Sequence, residues 1–322
     1  MSVSETLPKE SRPEPGLVPS KKKRGPNKGG GPDKAHSRYE ASGVAFAVPA
    51  ALIVAVLLYA PLLYTTFISF TRYNGLGSPK WIGFDNYEEM FTNPDFGMAV
   101  LNTLLWVVGT LVVPVGLGLI LALMAWNLKG SAWLRVPFLL PYALSGIGVG
   151  VIWSFMLTQG GALDQMLGLV GITDTPRWLL DWPTNTIVMI LAASWQGVGV
   201  NALLFTVGLQ SIPKEPLEAA RMDGASGFRL FSSILWPMLR PLTAVVVGLA
   251  IVGSLKTFDI VWGMTKGGPG TVSQTLALQM YKATFVNADY GLGSAVAVFL
   301  TIITLLASVL YLRQQLSPDK EL

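Results

Sequence analysis

Six stretches of mostly apolar residues, each long enough to cross a lipid bilayer, constrain this chain more than any other feature. They predict spans over residues 44–69, 98–126, 134–157, 186–210, 242–264 and 291–312. A span needs roughly 20 apolar residues, and inside lipid a helix pairs all of its own backbone polar groups. The composition agrees, since 51% of the residues are hydrophobic and 13% are charged. The predicted fold is an all-α polytopic membrane protein with about six transmembrane helices. Pro114, Pro137 and Pro141 are predicted to kink or interrupt the helices that contain them.

The residue types that are missing exclude several kinds of chemistry. The chain has no cysteine and one histidine, His36. Disulfides, thiol catalysis, Cys/His zinc sites and histidine-based triads are therefore excluded. The phosphate-cradling pattern GxxxxGK[ST] is absent too, so we expect no ATP hydrolysis by this chain. We predict no catalytic residue, no metal and no bound cofactor.

The distribution of Lys and Arg predicts the orientation. Seventeen of the 23 fall in the two termini and the loops that share a side with them, and five fall in the opposite loops. Because cytosolic loops carry the excess of positive charge, both termini are predicted to be cytosolic. Residues 1–40 read as a disordered basic cytosolic tail, and 316–322 as a cytosolic C-terminal tail. The basic run at 21–24 suits contact with anionic membrane lipid better than binding of nucleic acid, and we expect no nucleic-acid partner.

A polar island interrupts the apolar pattern at residues 211–240, between the fourth and fifth spans. Pro213 is placed where a helix would begin, and Glu218 is predicted to lie in its first turn. Asp223-Gly224 should end that helix, and Ser226 should cap a second one. Apolar residues recur at helical spacing and predict one buried face: Leu217, Ala220, Gly224, Phe228, Phe231 and Leu235. On periodicity alone, an amphipathic loop without a special role explains the island equally well.

Particular residues of the island resemble a known motif. The sequences Glu218-Ala219-Ala220 and Asp223-Gly224-Ala225, followed by Ile234 and Pro237, are similar to the EAA loop of ABC importer permeases. The family usually has Leu before the final proline, where this chain has Trp236. The resemblance implies that the loop, 211–240 within a transmembrane domain of 41–315, docks on a cytosolic ATPase. It assigns the coupling to Glu218, Ala219, Ala220, Asp223 and Gly224.

A second stretch, from Phe258 to Pro269, resembles the carbohydrate-uptake branch of these permeases, the maltose and sn-glycerol-3-phosphate type. The resemblance implies a permease subunit in a bacterial cell membrane whose substrate is a sugar, in particular a di- or oligosaccharide. It also implies three protein partners. These are a second homologous permease, a cytosolic ATPase dimer that uses ATP, and an extracytoplasmic solute-binding protein.

Polar groups at membrane depth are the candidates for the substrate path, because charges there are costly and usually functional. Lys256 and Asp259 are three residues apart, so we predict that they share a helix face and either pair or line the path. In the fourth span, Gly197 and Gly199 either pack closely against another helix or leave room for a sugar ring. With the second interpretation, Trp195 would stack on the ring and Gln196 would bond its hydroxyls.

In maltose-type permeases the sugar contacts come from the third, fourth and fifth spans. Matching by distance from sequence landmarks points to Phe138, Tyr142, Ala193, Gly197, Val200, Leu249, Gly253 and Lys256. Together with the residues above, the predicted substrate path consists of Phe138, Tyr142, Trp195, Gln196, Gly197, Gly253, Lys256 and Asp259. Several of these are not the polar types of a maltose permease, so the resemblance does not carry over the specificity.

Three other functions stay open at this point. A permease for another solute, such as glycerol phosphate, would share every feature except the cavity residues. An ATP-independent channel or secondary transporter leaves the EAA loop unexplained. A membrane enzyme would need convergent catalytic groups at one depth, and the intramembrane charged set is Lys256 and Asp259 alone.

Overall fold

The computed structural model describes residues 34–126 and 137–316, and in 34–47 and 314–316 it describes the backbone only. The chain divides into two units, Met1–Tyr59 and Ala60–Leu322. Helix α1 extends over Lys34–Ile68. The predicted disordered tail is therefore wrong for residues 34–40, which are helical because the last proline of the tail precedes them and they contain no glycine. Residues 1–33, the basic run included, and 317–322 lie outside the described part.

The remaining elements are almost all helical. They are β1 Thr71–Arg72, β2 Lys80–Trp81, α2 Asp85–Thr92, α3 Pro94–Ala125, α4 Pro137–Ala143, α5 Gly146–Leu157, α6 Ala162–Leu169, α7 Thr184–Gln210, α8 Lys214–Met222, α9 Gly227–Leu255, α10 Asp259–Met264, α11 Leu276–Tyr281 and α12 Tyr290–Leu316. The two short strands pair antiparallel, with Thr71 opposite Trp81. In the described residues, five helices are long and apolar enough to cross a membrane, or six if one bent pair is counted as a span. The predicted fold class is confirmed.

Helix α3 shows how proline shapes a span. Its start is capped by Asn93, whose side chain accepts a hydrogen bond from the Asp95 N–H, and Pro94 occupies the first turn. Pro114 lies within the helix, where it lacks the N–H for the normal ladder. The backbone accommodates it in a π-helical turn, Leu111–Val115.

The third predicted span is broken rather than continuous. Helices α4 and α5 meet at an angle of 108°. The break follows a 3₁₀ turn over Leu140–Ala143 that contains Pro141, and α5 starts afresh at Ser145, whose side chain accepts from the Gly148 N–H. The sequence predicted that Pro137 and Pro141 would kink or interrupt this span, and the bend confirms it.

The predicted fifth span, 242–264, is wrong at both ends. Helix α9 already begins at Gly227, because a π-helical turn, Phe231–Leu235, joins the second helix of the polar island to the apolar span. The helix stops at Leu255, where the N–H groups of Lys256 and Thr257 bond to carbonyls three residues back. The carbonyl of Thr257 accepts from the Thr275 hydroxyl at 2.7 Å. A separate helix, α10, follows.

Three apolar cores hold the second unit together. One joins α5, α7 and α10 around Val149, Met189 and Val261, all fully buried. Another joins α7, α8 and α9 around Phe205 and Leu239. The last joins α3, α9, α11 and α12. The short helices α8 and α10 are thus fixed by packing to longer ones.

Candidate functional site

Helix α8 presents two chemically different faces. Pro213 is its N-cap residue, and Leu217 and Ala220 are buried in the core with α7 and α9. Glu218, Ala219 and Arg221 are exposed on the other side. The predicted helix is present, but Glu218 lies in its second turn, because the helix already starts at Lys214 and Glu215 takes the first-turn position. The helix dipole therefore favours Glu215 more than Glu218.

The turn after α8 is a Schellman motif, the common helix ending in which two backbone bonds cap the last carbonyls. The N–H of Ala225 bonds to the Ala220 carbonyl at 2.9 Å, and the N–H of Gly224 bonds to the Arg221 carbonyl at 3.0 Å. The motif requires positive φ at Gly224, which is +79°. A Cβ there would meet no atom within 4 Å, so the restriction is one of backbone conformation and not of space.

The apolar face predicted for this loop is divided between two environments. Leu217, Ala220 and Leu235 are buried, as the spacing predicts. Gly224 and Phe228 are exposed, which corrects the prediction, because α8 ends at the Gly224 turn and the next helix begins only at Gly227. Phe228 is 80% exposed and Met222 is 84% exposed. Ser226 lies at the predicted N-cap position, but its side chain accepts no capping hydrogen bond.

Two helix breaks meet at a cavity of 260 Å³, called here the central cavity. One break is the Lys256–Phe258 segment between α9 and α10, and the other ends at Gly146, where α5 begins. Helix α7 closes the cavity with Ala193 and Gln196. Its lining residues are Gly146, Ala193, Gln196, Gly253, Lys256, Thr257, Phe258, Asp259 and Ile260.

The two charges of the central cavity do not pair with each other. Within the described residues the one salt bridge joins Arg177 and Asp181. The predicted shared helix face is wrong because the helix ends between the two: Lys256 caps the C-terminus of α9, and Asp259 is the first residue of α10. Each charge lies at the helix end whose dipole stabilises it, a cation at a C-terminus and a carboxylate at an N-terminus.

Neighbouring groups fix the geometry of the cavity wall. The Gln196 side chain donates from Nε2 to the Leu144 carbonyl at 2.6 Å, which satisfies the backbone at the α4–α5 break. Asp259 packs against the start of α5, since a Cβ on Gly146 would lie 2.8 Å from the Asp259 Cβ. At Gly253, by contrast, a Cβ would meet nothing within 4 Å. The glycine leaves open space on the cavity side of α9.

The chain matches known transport proteins over most of its length. Residues 114–319 match the family model of the binding-protein-dependent transport system inner membrane component. The chain belongs to this family. The predicted membership of the ABC importer permeases is thereby confirmed.

Relatives and solved structures agree with this assignment. The sulfoquinovosyl glycerol transport system permease protein of Agrobacterium fabrum is 36% identical over 82% of this chain and 87% of its own. The multiple sugar-binding transport system permease protein of Streptococcus mutans is 32% identical, over 84% of this chain and 94% of its own. A chain of a bacterial ABC transporter that imports the acidic polysaccharide alginate superposes with a TM-score of 0.76 at 20% identity, covering 88% of this permease and 98% of that chain. The last match shows the shared fold.

The central cavity of the permease contains only part of the predicted path. Gln196, Gly253, Lys256 and Asp259 line it, together with Ala193. Four other predicted path residues are not among its lining residues: Phe138, Tyr142, Trp195 and Gly197. Val200 and Leu249, which were matched from the landmarks, are also absent from that lining.

Contacts elsewhere explain these differences. Phe138 and Tyr142 lie on α4 with exposed side chains, and Trp195 packs edge to face on Trp153. At Gly197 a Cβ would approach Pro114 at 3.2 Å, and at Gly199 it would overlap the Phe138 carbonyl. Both glycines therefore serve helix packing in this conformation.

Sequence reasoning missed Asn102, a fully buried residue of α3. Its Nδ2 donates to the carbonyls of Val272 and Gln274, at 2.8 and 3.0 Å. Its Oδ1 accepts from Trp182 and from the Thr186 hydroxyl. One side chain thus joins α3, α7 and the loop before α11. An asparagine inside an apolar span was the available signal, but its partners lie up to 172 residues away.

Proposed function

We propose that this permease forms the translocation path of an ATP-driven ABC importer for a sugar, with substrate passing the central cavity. The observation that carries the proposal is the meeting of two helix breaks at a cavity with a lysine, a carboxylate and an amide. Broken helices provide backbone and helix ends as ligands at membrane depth, and charges persist there at a cost. In an unbroken helix the backbone groups pair within the helix, and no helix end is available at this depth.

The chemistry of the cavity favours a hydroxyl-rich substrate. Lys256 donates hydrogen bonds and Asp259 accepts them, and neither is neutralised by the other. A hydroxyl group does both, so a sugar satisfies the two charges without bringing a net charge. The names of the relatives, for sulfoquinovosyl glycerol and for multiple sugars, support the same class. We propose a di- or oligosaccharide as the substrate.

Coupling to the partner ATPase dimer is assigned to α8 and the turn that follows it. Met222 and Phe228 expose large apolar side chains on either side of Gly224, as a surface covered by another protein would. Glu218, Ala219, Asp223 and Gly224 belong to the same surface, whereas Ala220 is buried beneath it and packs α8 against the core. In this proposal ATP is bound by the ATPase and no cofactor by the permease. A second permease and an extracytoplasmic binding protein complete the importer, and both termini face the cytosol.

Topology is the first test of this arrangement. Reporter fusions at the loop 211–240 and at both termini should read as cytosolic, and a fusion near Asp174 as external. The expectation rests on the Lys and Arg distribution. The opposite pattern would remove α8 from the reach of a cytosolic ATPase.

Uptake measurements test the function itself. Cells that lack this chain should lose accumulation of at least one sugar from a panel of mono-, di- and oligosaccharides and glycerol phosphate. The wild-type chain should restore it, and the restored uptake should persist when ion gradients are collapsed while ATP is maintained. Loss of uptake with the gradients would indicate a secondary transporter instead. If the wild-type chain restores uptake of glycerol phosphate alone, the substrate is glycerol phosphate and not a sugar.

A further inference from the structure

A second polar cavity lies apart from the central one. Its volume is 320 Å³, and it forms between the start of α3, the loop before α11, the π-helical turn Lys282–Val286 and the start of α12. It shares no described lining residue with the central cavity. We call it the Gln274 cavity and define it by Asp95, Gln274, Gln279, Lys282, Leu292 and Val296. Single π-helical turns often mark functional positions in helices.

Two amide oxygens at this cavity lack hydrogen-bond partners among the described residues. Gln274 is buried, with 3% of the residue's surface exposed, and its Oε1 has no hydrogen-bond partner. The Oε1 of Gln279 is also buried and has no hydrogen-bond partner. The loop that carries Gln274 is held firmly, because Asn102 donates to its carbonyl and Thr103 accepts from the Leu276 N–H. Buried acceptors of this kind are rare, and each calls for a donor.

The charges of the Gln274 cavity are balanced but separate. Asp95 accepts a hydrogen bond from the Thr271 hydroxyl at 2.7 Å. It does not form a salt bridge with Lys282 in the described structure, where Arg177–Asp181 is the one such pair. Burial lowers the pKa of Lys282, and the charge of Asp95 acts on that pKa in the opposite direction. The space between them is thus bordered by a donor cation and an acceptor anion.

We propose that the Gln274 cavity is a second binding site of the permease, for a neutral, hydroxyl-rich ligand the size of one sugar residue. Hydroxyls donate to Asp95 and accept from Lys282, and they donate to the buried oxygens of Gln274 and Gln279 once those amide side chains rotate toward the cavity. Because the charges of Asp95 and Lys282 balance, the cavity as a whole favours neither a cation nor an anion. Leu292 offers an apolar floor for the C–H face of a ring, with the buried Val296 behind it. The volume is near the lower end of ligand pockets, which span roughly 300–1,000 Å³.

The inference rests on the proposed function, in which this cavity lies on the extracytoplasmic side and a sugar contacts it before the central cavity. It adds a site that the helix breaks do not predict. Since the chain contains no cysteine, single cysteines can report on each place separately. Val286 lines the cavity and is 60% exposed, and Leu76, in the loop between β1 and β2, is 80% exposed.

The test uses the assembled importer in intact cells. Val286→Cys and, as the control, Leu76→Cys are labelled with a membrane-impermeant maleimide while methyl α-glucoside, methyl α-galactoside or methyl α-mannoside is titrated. At least one glycoside should slow labelling of Val286→Cys roughly tenfold once it exceeds its Kd about tenfold, and labelling of Leu76→Cys should not change. Adding Gln274→Leu or Gln279→Leu should abolish the protection. Glucosamine and glucuronate should protect less.

The outcomes separate this site from the proposed function. Three results would overturn the second site even though uptake continues. They are a lack of protection by any of the three glycosides, equal slowing of labelling at both cysteines, and protection that survives both glutamine variants. Stronger protection by a charged analogue would overturn the ligand class. If Val286→Cys reacts only after the cells are permeabilised, the assumed orientation is wrong. The same titration in permeabilised membranes then still tests whether the Gln274 cavity binds a glycoside. Gly253→Leu, in the central cavity, should leave the protection intact.

Discussion

The permease interrupts its helices at the Gly224 turn and at the Lys256–Phe258 break, and the two interruptions expose opposite kinds of side chain. At Gly224 the cap bonds satisfy the backbone, and apolar Met222 and Phe228 are left exposed. At the Lys256–Phe258 break, charged Lys256 and Asp259 line the central cavity together with polar Gln196 and Thr257. The first interruption leaves apolar side chains exposed and the second leaves charged side chains unpaired, so this chain alone satisfies neither set. The difference indicates an apolar partner surface at the first and a polar substrate at the second.

The largest effect is expected from Gly224→Asp. A non-glycine residue at φ of +79° costs about 1–3 kcal/mol, and the added carboxylate stands in the exposed docking surface. Substrate-stimulated ATP hydrolysis in liposomes should fall roughly tenfold or more, and the ATPase should no longer copurify with the permease. Glu218→Lys, which reverses an exposed charge on the same surface, should act in the same direction.

A matched control for this variant is Gly77→Asp. Gly77 has φ of +73° and, like Gly224, open space where a Cβ would lie, but it belongs to the loop between β1 and β2. The substitution should therefore cost similar backbone strain and leave ATPase binding intact. Equal loss with both variants would mean that Gly224 matters for folding and not for coupling.

The next effect is expected at the central cavity. Gly253→Leu places a side chain into open space, so uptake per assembled complex should drop roughly tenfold or more, equivalent to about 1.4 kcal/mol. Gly197→Leu meets Pro114 instead and should reduce the amount of folded protein, because overpacking costs typically about 1–3 kcal/mol. Uptake and membrane protein are measured in parallel. Normal uptake per complex with Gly253→Leu would reject the cavity as the path.

A smaller effect is expected from Phe228→Ser. Removing an exposed aromatic ring from an interface should weaken ATPase binding by about 1 kcal/mol, roughly fivefold in Kd. Leu76→Ser removes an equally exposed apolar side chain in a different loop and should not change it. Binding is measured with detergent-solubilised complexes. Identical affinities for wild type and Phe228→Ser would restrict the docking surface to α8 itself.

The smallest expected effect is the coupling between Lys256 and Asp259. Because the two charges line one cavity without forming an ion pair, the effects of Lys256→Met and Asp259→Asn on uptake should couple by only about 0.5 kcal/mol, the low end for residues that share a cavity. A double-mutant cycle on initial uptake rates measures this. Recovery of uptake in the double variant would show that the charges neutralise each other during transport, which is one of the two interpretations that the sequence spacing left open.

The sequence by itself determined the features that depend on neighbouring residues. Apolar runs of sufficient length predicted the spans, Pro137 and Pro141 predicted the broken third span, and Asp223-Gly224 predicted the end of α8. Each of these follows from hydrophobicity or from backbone conformation, which act within one turn or one span. The EAA resemblance, which also lies within a short stretch, identified the family.

Only the tertiary structure decided which distant residues meet. Gly253 and Gly197 are alike in sequence, yet one borders open space and the other packs on Pro114, because a glycine's role depends on what faces it. Lys256 and Asp259 have helical spacing but no shared helix, since backbone bonds end α9 between them. Asn102 and Gln274 are 172 residues apart and in contact. Periodicity is a local property, and the cavities are built by contacts between segments far apart in the chain.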